Sequence, residues 1–254
     1  MVRERQILAC SGVLYPPEGF PLERVGAQIW QALRLADVQK PRVCLIATAV
    51  GDARASIDRW YERASFFGAG ETSHLELFVR PNVADVRAHL LAQDVIFVSG
   101  GSVVNLLAVW RAHRLDAVLR ECWEAGVVLA GQSAGSLCWH LGGVTDSFGD
   151  SLDAIDNGLG FLPYSNGVHD DLGDQPRRQR FRELIGVGDL PAGYATEDGV
   201  ALHYVGDQLH EVLGVLPDRS AWFVESNGTG GYRQQALPAR HWLPSKSEPI
   251  LGKH

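Results

Sequence analysis

The feature that most constrains the fold is a regular alternation of short, continuously apolar runs with longer segments of helical periodicity. Continuously apolar runs are typical of strands buried on both faces, because half-exposed strands alternate apolar and polar residues. The sequence therefore predicts an α/β fold: a doubly wound, mostly parallel sheet with flanking helices. The predicted strands are Gln6–Cys10, Arg42–Thr48, Leu75–Val79, Asp94–Val98 and Val127–Ala130, and the predicted helices are Leu22–Val38, Ala53–Phe67, Val83–Ala92, Val103–His113 and Leu115–Ala125.

The C-terminal part of the chain has a different pattern. Gly199–Val205, Gln208–Leu216 and Ser220–Glu225 are typical of successive antiparallel strands, with a two-residue hairpin turn at Gly206-Asp207. The residues after about 228 are rich in Gly, Pro and Ser, which predicts a loosely ordered tail. Because neither an internal repeat nor a linker interrupts the pattern, we expect a single domain over residues 1–254.

Composition excludes several classes of protein. The 254 residues carry a net charge of −7, and no long basic run is present, which argues against a nucleic-acid surface. The charged N-terminus lacks the apolar core of a signal peptide, and no apolar run is long enough to span a bilayer. Four scattered cysteines are typical of buried, reduced thiols. These observations predict a cytoplasmic protein that contacts neither nucleic acid nor membrane.

The segment Gly131-Gln132-Ser133-Ala134-Gly135 lies between a predicted strand and a predicted helix. This is the pattern of a nucleophile elbow, in which a strained turn exposes a serine hydroxyl above the sheet. Glycine at positions 131 and 135 removes side chains that would clash in the turn and at the helix–strand contact. The alternative is a serine that only caps the helix.

A second glycine turn, Ser99-Gly100-Gly101, also ends a predicted strand. In an open parallel sheet, ligands bind beyond the carboxyl ends of the strands, so this turn and Ser133 are expected at the same edge. Its backbone N–H groups and that of Ala134 could together form an oxyanion hole.

A nucleophilic serine needs a base and an acid that orients the base. Among the downstream histidines, His169 stands in a polar loop and is the best candidate, whereas His140 is expected on the helix that follows Ser133. His203 and His210 would face each other across the hairpin, but two histidines make a poor metal site, so we predict neither metal nor cofactor. Spacing leaves the acid open among Asp146, Asp150, Asp153, Asp156, Glu197 and Asp198.

Taken together, these motifs resemble the peptidase E and cyanophycinase family of serine peptidases. The likeness covers most of the chain. It is carried by Val98–Gly101 with Asn105, Gly131–Gly135, Gly143–Ser147, Leu159–Pro163 leading to His169, Arg180–Leu184 and Ala195–Leu202.

The resemblance implies a fold like that of the class I glutamine amidotransferases and a role for each matching residue. Ser133 would be the nucleophile, His169 the base and Asp146 the acid, with Asp150 and Glu197 left open. Gly101 and Ala134 would supply the oxyanion N–H groups. The family likeness also allows a homodimer.

The same resemblance implies that an arginine after the histidine loop binds the substrate carboxylate and so determines substrate choice. Arg177 matches that place, one turn before the apolar Phe181 on a helix that begins near Pro176. A bidentate arginine suits a carboxylate, so the resemblance implies a dipeptidase that prefers N-terminal Asp. Asp170, Asp171 and Asp174 stand nearby and would compete for this arginine.

The sequence therefore predicts a serine peptidase of short peptides, acting through an acyl-enzyme. Two alternatives remain open. An α/β-hydrolase esterase would share the serine turn, although its histidine normally lies nearer the C-terminus. A binding homologue that has lost activity would keep the fold without the chemistry.

Overall fold

Fourteen strands and seven helices lie within the part of the chain that the computed structural model describes, residues 3–14, 16, 18–21 and 25–243. The strands are β1 (Gln6–Cys10), β2 (Arg42–Ile46), β3 (Glu71–Leu75), β4 (Val95–Val98), β5 (Val128–Gln132), β6 (His140–Thr145), β7 (Asp153–Ile155), β8 (Leu162–Val168), β9 (Gly193–Thr196), β10 (Val200–Val205), β11 (Gln208–Gly214), β12 (Ser220–Ser226), β13 (Tyr232–Pro238) and β14 (Arg240–His241). The helices are α1 (Ala27–Leu35), α2 (Arg54–Phe66), α3 (Val86–Leu91), α4 (Val103–Ala112), α5 (Leu115–Glu124), α6 (Ala134–Leu137) and α7 (Arg177–Val187).

The larger sheet contains the strands that the apolar runs predict. Its order is β14-β11-β10-β1-β5-β4-β2-β3, and the strands from β1 to β3 in this order are parallel. On the other side of β1, the antiparallel hairpin of β10 and β11 extends the sheet, with Gly206-Asp207 as its two-residue loop. The predicted α/β class, the parallel sheet and the hairpin are thus confirmed.

A second sheet was not predicted. It has six strands in the order β13-β12-β9-β8-β6-β7 and mixes parallel with antiparallel pairs. The predicted strand at Ser220–Glu225 forms, but as β12 it pairs with β9 and β13 and not with β11. Part of the expected loose tail forms strands, because β13 pairs with β12 at the edge of this sheet and β14 pairs with β11 at the edge of the larger one. Residues 244–254 of that tail lie outside the described residues.

The apolar residues of the central strands pack in two directions. In β4, Ile96 and Val98 face one core while Val95 and Phe97 face another. Helices α1 and α2 cover the second of these cores, and α4, α5 and the second sheet enclose the first. Burial on both faces is the physical reason for the continuously apolar strands.

Several predicted boundaries differ from the structure. Strand β3 begins at Glu71 and ends at Leu75, where the sequence placed the start of a strand. Helix α1 begins at Ala27, and residues 22–24 of its predicted range lie outside the described part. The helix after Ser133 has only four residues, so His140 begins β6 and is not on that helix. Among the described residues, no helix has the length and apolar character needed to span a bilayer.

Candidate active site

Ser133 lies in a strained turn between β5 and α6. Its backbone has φ 55° and ψ −113°, a region that residues other than glycine rarely occupy. Its N–H donates to the carbonyl of Cys10 at 2.9 Å, which fixes the turn to the end of β1. The hydroxyl makes no capping hydrogen bond to α6. The alternative interpretation, a serine that caps the helix, is therefore not supported.

The two glycines around Ser133 allow close contact between β5, α6 and β4. A Cβ atom on Gly131 would lie 2.3 Å from the carbonyl oxygen of Gly135. A Cβ atom on Gly135 would lie 2.4 Å from the carbonyl oxygen of Val98. Both distances are far below van der Waals contact, so only glycine permits this packing.

The Gly100-Gly101 turn after β4 lies against Ser133. A Cβ atom on Gly100 would stand 3.1 Å from the Cβ of Ser133. Gly101 has φ 134°, and a side chain there would meet the Ala49 carbonyl oxygen at 2.3 Å. In the described ranges, the N–H groups of Gly101 and Ala134 donate to no backbone or side-chain acceptor. Two donors next to the serine are thus available to a ligand.

His169 follows β8, and its position is determined by contacts of both its ring and its backbone. It has a positive φ of 57°, and its N–H donates to the hydroxyl of Ser11 at 3.0 Å. Its Nδ1 lies 2.5 Å from Oδ1 of Asp198. The side chains of His169 and Asp198 are only 3% and 6% exposed. The histidine is therefore oriented by a carboxylate in a site that excludes most solvent.

The end of β1 connects the serine turn to the histidine loop. Cys10 accepts the hydrogen bond from the Ser133 N–H, and the adjacent Ser11 accepts the one from the His169 N–H. The Ser11 hydroxyl also contacts Oγ1 of Thr196 at 2.6 Å, at the end of β9. Two neighbouring residues thus bring together the edges of both sheets.

The carboxylate that contacts His169 is that of Asp198, and not that of Asp146. Oδ2 of Asp146 instead accepts from Arg177 at 2.6 Å. Glu197, one of the open alternatives, pairs with Arg178 and accepts from the Ser220 N–H. Asp150, the other, is exposed in the turn after β6. The expected contact between His169 and Asp146 does not form.

A signal for Asp198 existed in the sequence but required the second sheet to be recognised. β8 and β9 are parallel neighbours, with Val168 opposite Thr196. Their carboxyl ends therefore meet at one edge, and the loops that follow carry His169 and Asp198. Oδ2 of Asp198 accepts from the Leu14 N–H at 2.9 Å, and its own N–H donates to Asp171 at 2.7 Å. These bonds hold the carboxylate in place.

Arg177 is already paired within the protein. Besides Asp146, it contacts Oε1 of Gln175 at 2.7 Å, and only 7% of the residue is exposed. Two of the three nearby aspartates that were expected to compete for it have other partners: Asp170 pairs with Arg178 and Arg182, and Asp171 with Arg219. The charge of Arg177 is compensated, although by a different carboxylate from those expected.

Outside this region, three side chains lie close enough together to hold a metal ion. His203, His210 and Glu211 lie close together on β10 and β11, as expected for the two histidines across the hairpin. Glu211, however, accepts from Arg240 at 2.6 Å, and His203 contacts Oε1 of Gln6 at 2.9 Å. His203 and Glu211 thus already have structural partners.

A cavity of about 300 Å³ opens beside Ser133. The Gly100-Gly101 turn and Gln132 line it together with Ser133. A larger surface cavity of about 910 Å³ lies beside α7, and Ser133 does not line it. The smaller cavity is the one at which a substrate could meet the serine.

Comparison with known proteins identifies the chain as a peptidase, a class of hydrolase. The family model described as "Peptidase family S51" matches residues 24–212. The chain is 39% identical over 221 residues to "Uncharacterized peptidase YgaJ" of Bacillus subtilis (strain 168), which covers 87% of this chain and 92% of that protein. It is 30% identical over 154 residues to "Peptidase E" of Shewanella amazonensis (strain ATCC BAA-1098 / SB2B), covering 57% and 63% respectively. The chain belongs to peptidase family S51.

Solved structures show the same fold. A peptidase from an acI-B1 Actinobacterium aligns with a TM-score of 0.62 and 17% identity, covering 93% of this chain and 96% of that one. A putative peptidase E protein from Listeria monocytogenes EGD-e aligns with a TM-score of 0.57 and 15% identity, covering 83% and 97%. The fold is of the class I glutamine amidotransferase type, as the resemblance to peptidase E implied.

Proposed function

We propose that the protein is a serine peptidase of short peptides that uses Ser133, His169 and Asp198. The observation that carries this proposal is the buried 2.5 Å contact of His169 with Asp198, linked through Cys10 and Ser11 to the strained turn of Ser133. A carboxylate on Nδ1 leaves Nε2 as the proton acceptor, which is the arrangement a general base needs. Asp198 takes the role that the sequence had given to Asp146.

The reaction would proceed through a covalent acyl-enzyme. Ser133 Oγ attacks the peptide carbonyl carbon while His169 accepts its proton, and the carbonyl oxygen becomes an oxyanion. His169 then gives the proton to the leaving amine, and the C–N bond breaks. Water attacks the ester, with the same histidine as base, and releases the acid and the free serine. Asp198 stabilises the imidazolium in both steps.

The oxyanion would be bound by the N–H groups of Gly101 and Ala134. Both donors lack an acceptor among the described residues and flank the serine turn. The role of the strained backbone at Ser133, that of a nucleophile elbow, is to project the hydroxyl toward such donors. Loss of one donor of this type typically costs about 100-fold or more in kcat.

The preference for N-terminal Asp remains a prediction. Arg177 as its carboxylate clamp has less support than the sequence indicated, because Asp146 already compensates its charge. A cytoplasmic location also remains a prediction, and the four buried free cysteines agree with reduced thiols. The possible homodimer likewise remains a prediction.

Hydrolysis of Asp-Leu, Leu-Leu and Ala-Ala by the purified protein tests the proposal. We expect peptide cleavage that falls by at least about 1,000-fold in Ser133→Ala and persists in Ser65→Ala, an exposed serine on α2. Mass spectrometry after reaction with a fluorophosphonate should place the adduct on Ser133.

Other outcomes would favour the alternatives. Turnover of p-nitrophenyl esters without peptide cleavage would indicate an esterase. Thermal stabilisation by peptides without any turnover would indicate a binding homologue. Cleavage that survives Ser133→Ala would show that this serine is not the nucleophile.

A further inference from the structure

Two arginines line the cavity that opens at Ser133. Arg59 and Arg63 stand one turn apart on α2, and both contribute to its wall. Trp60 of the same helix and Phe97 of β4 also line the cavity and add apolar surface to its wall. The cavity wall therefore combines the candidate nucleophile with apolar surface and two cationic side chains.

Neither arginine has an anionic partner in the described part of the chain. The ion pairs of these residues do not include Arg59 or Arg63, whereas Arg54 of the same helix pairs with Asp58 at 2.9 Å. Glu62 adjoins Arg63 in sequence without forming an ion pair with it. Arg177, by contrast, already pairs with the carboxylate of Asp146. Among the described residues that line this cavity, Arg59 and Arg63 are thus the arginines available to a ligand carboxylate.

The electrostatics of the pair favour a bound anion. Like charges four residues apart on a helix repel each other. Burial, and next the charge of Arg59, lower the pKa of the Arg63 guanidinium, which stays protonated at neutral pH. Arg63 is half-buried, and its side chain lies along Gly26 at the start of α1. A carboxylate between the two guanidinium groups would relieve the repulsion and accept charge-assisted hydrogen bonds.

We infer that Arg59 and Arg63 form the carboxylate-binding subsite of the peptide substrate, in the same cavity that Ser133 lines. This inference rests on the proposed serine peptidase function. A volume of about 300 Å³ is at the small end for ligand sites, which suits a dipeptide with one charged end. The carboxylate could belong to an acidic N-terminal side chain or to the C-terminus of the leaving residue, and both offer the same chemistry.

Matched peptides distinguish these two sources. Asp-Leu and Asn-Leu differ only in the side-chain charge, and Asp-Leu and Asp-Leu amide differ only at the C-terminus. One of the two comparisons should show a preference for the charged peptide in the wild-type enzyme. Arg63→Gln should reduce that preference roughly tenfold or more, because a charge-assisted hydrogen bond is lost. Arg63→Lys should lose less, because it keeps the charge but not the planar fork.

Arg54→Gln is the matched control, since it removes an exposed arginine from the same helix without touching the cavity. Calorimetric binding of the same peptides to Ser133→Ala, with and without Arg63→Gln, provides a readout that does not depend on turnover. If the peptides are cleaved but neither preference, for Asp-Leu over Asn-Leu or for Asp-Leu over Asp-Leu amide, changes in Arg59→Gln or Arg63→Gln, the subsite proposal is wrong. The proposed peptidase function is then unaffected. If nothing is cleaved, a binding difference that depends on Arg63 supports the subsite alone, and no difference overturns it.

Discussion

At the residue scale, two of the proposed catalytic residues adopt a backbone conformation that is costly for their type. Ser133 and His169 both have positive φ, at 55° and 57°. Such conformations cost on the order of 1–3 kcal/mol each and persist only where the surroundings enforce them. Here the hydrogen bonds from their N–H groups to Cys10 and Ser11 provide that constraint. Local strain thus coincides with the residues that need a defined orientation.

The assignment of the acid can be tested at this scale by a pair of equivalent substitutions. Asp198→Asn leaves an amide beside His169 that no longer stabilises the imidazolium, so we expect kcat to fall about 100- to 10,000-fold. Asp146→Asn breaks only the contact with Arg177 and should change kcat less than about tenfold. Steady-state kinetics of both variants, with thermal melting to confirm folding, measure the difference. The opposite ranking would restore Asp146 as the acid.

At the element scale, the active-site edge depends on unusually close packing of α6, β5 and β4. The four-residue helix α6 lies so near β4 that Gly135 has no room for a methyl group. The same strand ends carry the Gly100-Gly101 turn, so a displacement of α6 would separate Ala134 from Gly101. Stability and the geometry of the oxyanion donors are therefore coupled through this contact.

Gly135→Ala should therefore lower both the stability of the fold and the activity. The new Cβ atom would meet the Val98 carbonyl oxygen at 2.4 Å, so we expect a loss of roughly 1–3 kcal/mol in the free energy of unfolding. kcat should fall as well, because Ala134 moves. Gly173→Ala is the control, since a Cβ atom added there would have no neighbouring atom within 4 Å. Urea denaturation of both variants gives the comparison, and equal stabilities would contradict the packing argument.

At the scale of the whole molecule, polar contacts connect the two sheets through an otherwise apolar interior. His140 of β6 in the smaller sheet contacts the Tyr204 hydroxyl of β10 in the larger one at 3.2 Å. Its Nδ1 lies 2.9 Å from the Ser136 carbonyl oxygen on α6. Burial lowers the pKa of His140 from 6.5 to about 4, so the imidazole is neutral at pH 7. The junction between the sheets is thus sensitive to acid.

The pH dependence of stability should reflect this histidine. In the unfolded chain His140 binds a proton as pH falls below 6.5, whereas in the folded protein it stays neutral until about 4. The free energy of unfolding should therefore decrease between pH 6.5 and 4, by up to roughly 3 kcal/mol from this residue. His140→Gln cannot titrate and should show a shallower decrease. Urea denaturation at pH 7.5, 5.5 and 4.5 measures both slopes, and equal slopes would exclude this contribution.

The sequence alone determined the class of fold and the serine turn. Strands buried on both faces must be apolar throughout, and this pattern identified most of the parallel sheet and its hairpin. Gly131 and Gly135 flank Ser133 in one contiguous segment between a strand and a helix, so Ser133 could be recognised from the local pattern. His169 was found for a similar reason, as a histidine in a polar loop, and the family resemblance is confirmed. The contact of Gly135 with Val98 of β4, which requires a glycine there, became visible only in the fold.

Only the tertiary structure decided which carboxylate contacts His169 and which arginines form no ion pair with another described residue. Asp198 reaches the histidine because β8 and β9 are parallel neighbours in a second sheet, a pairing between residues about 30 positions apart that periodicity does not encode. Asp146 and Arg177 also pair across a long separation in sequence, because the fold brings the two side chains into contact. Strand pairing and charge compensation depend on which segments meet in space, and local patterns do not specify that.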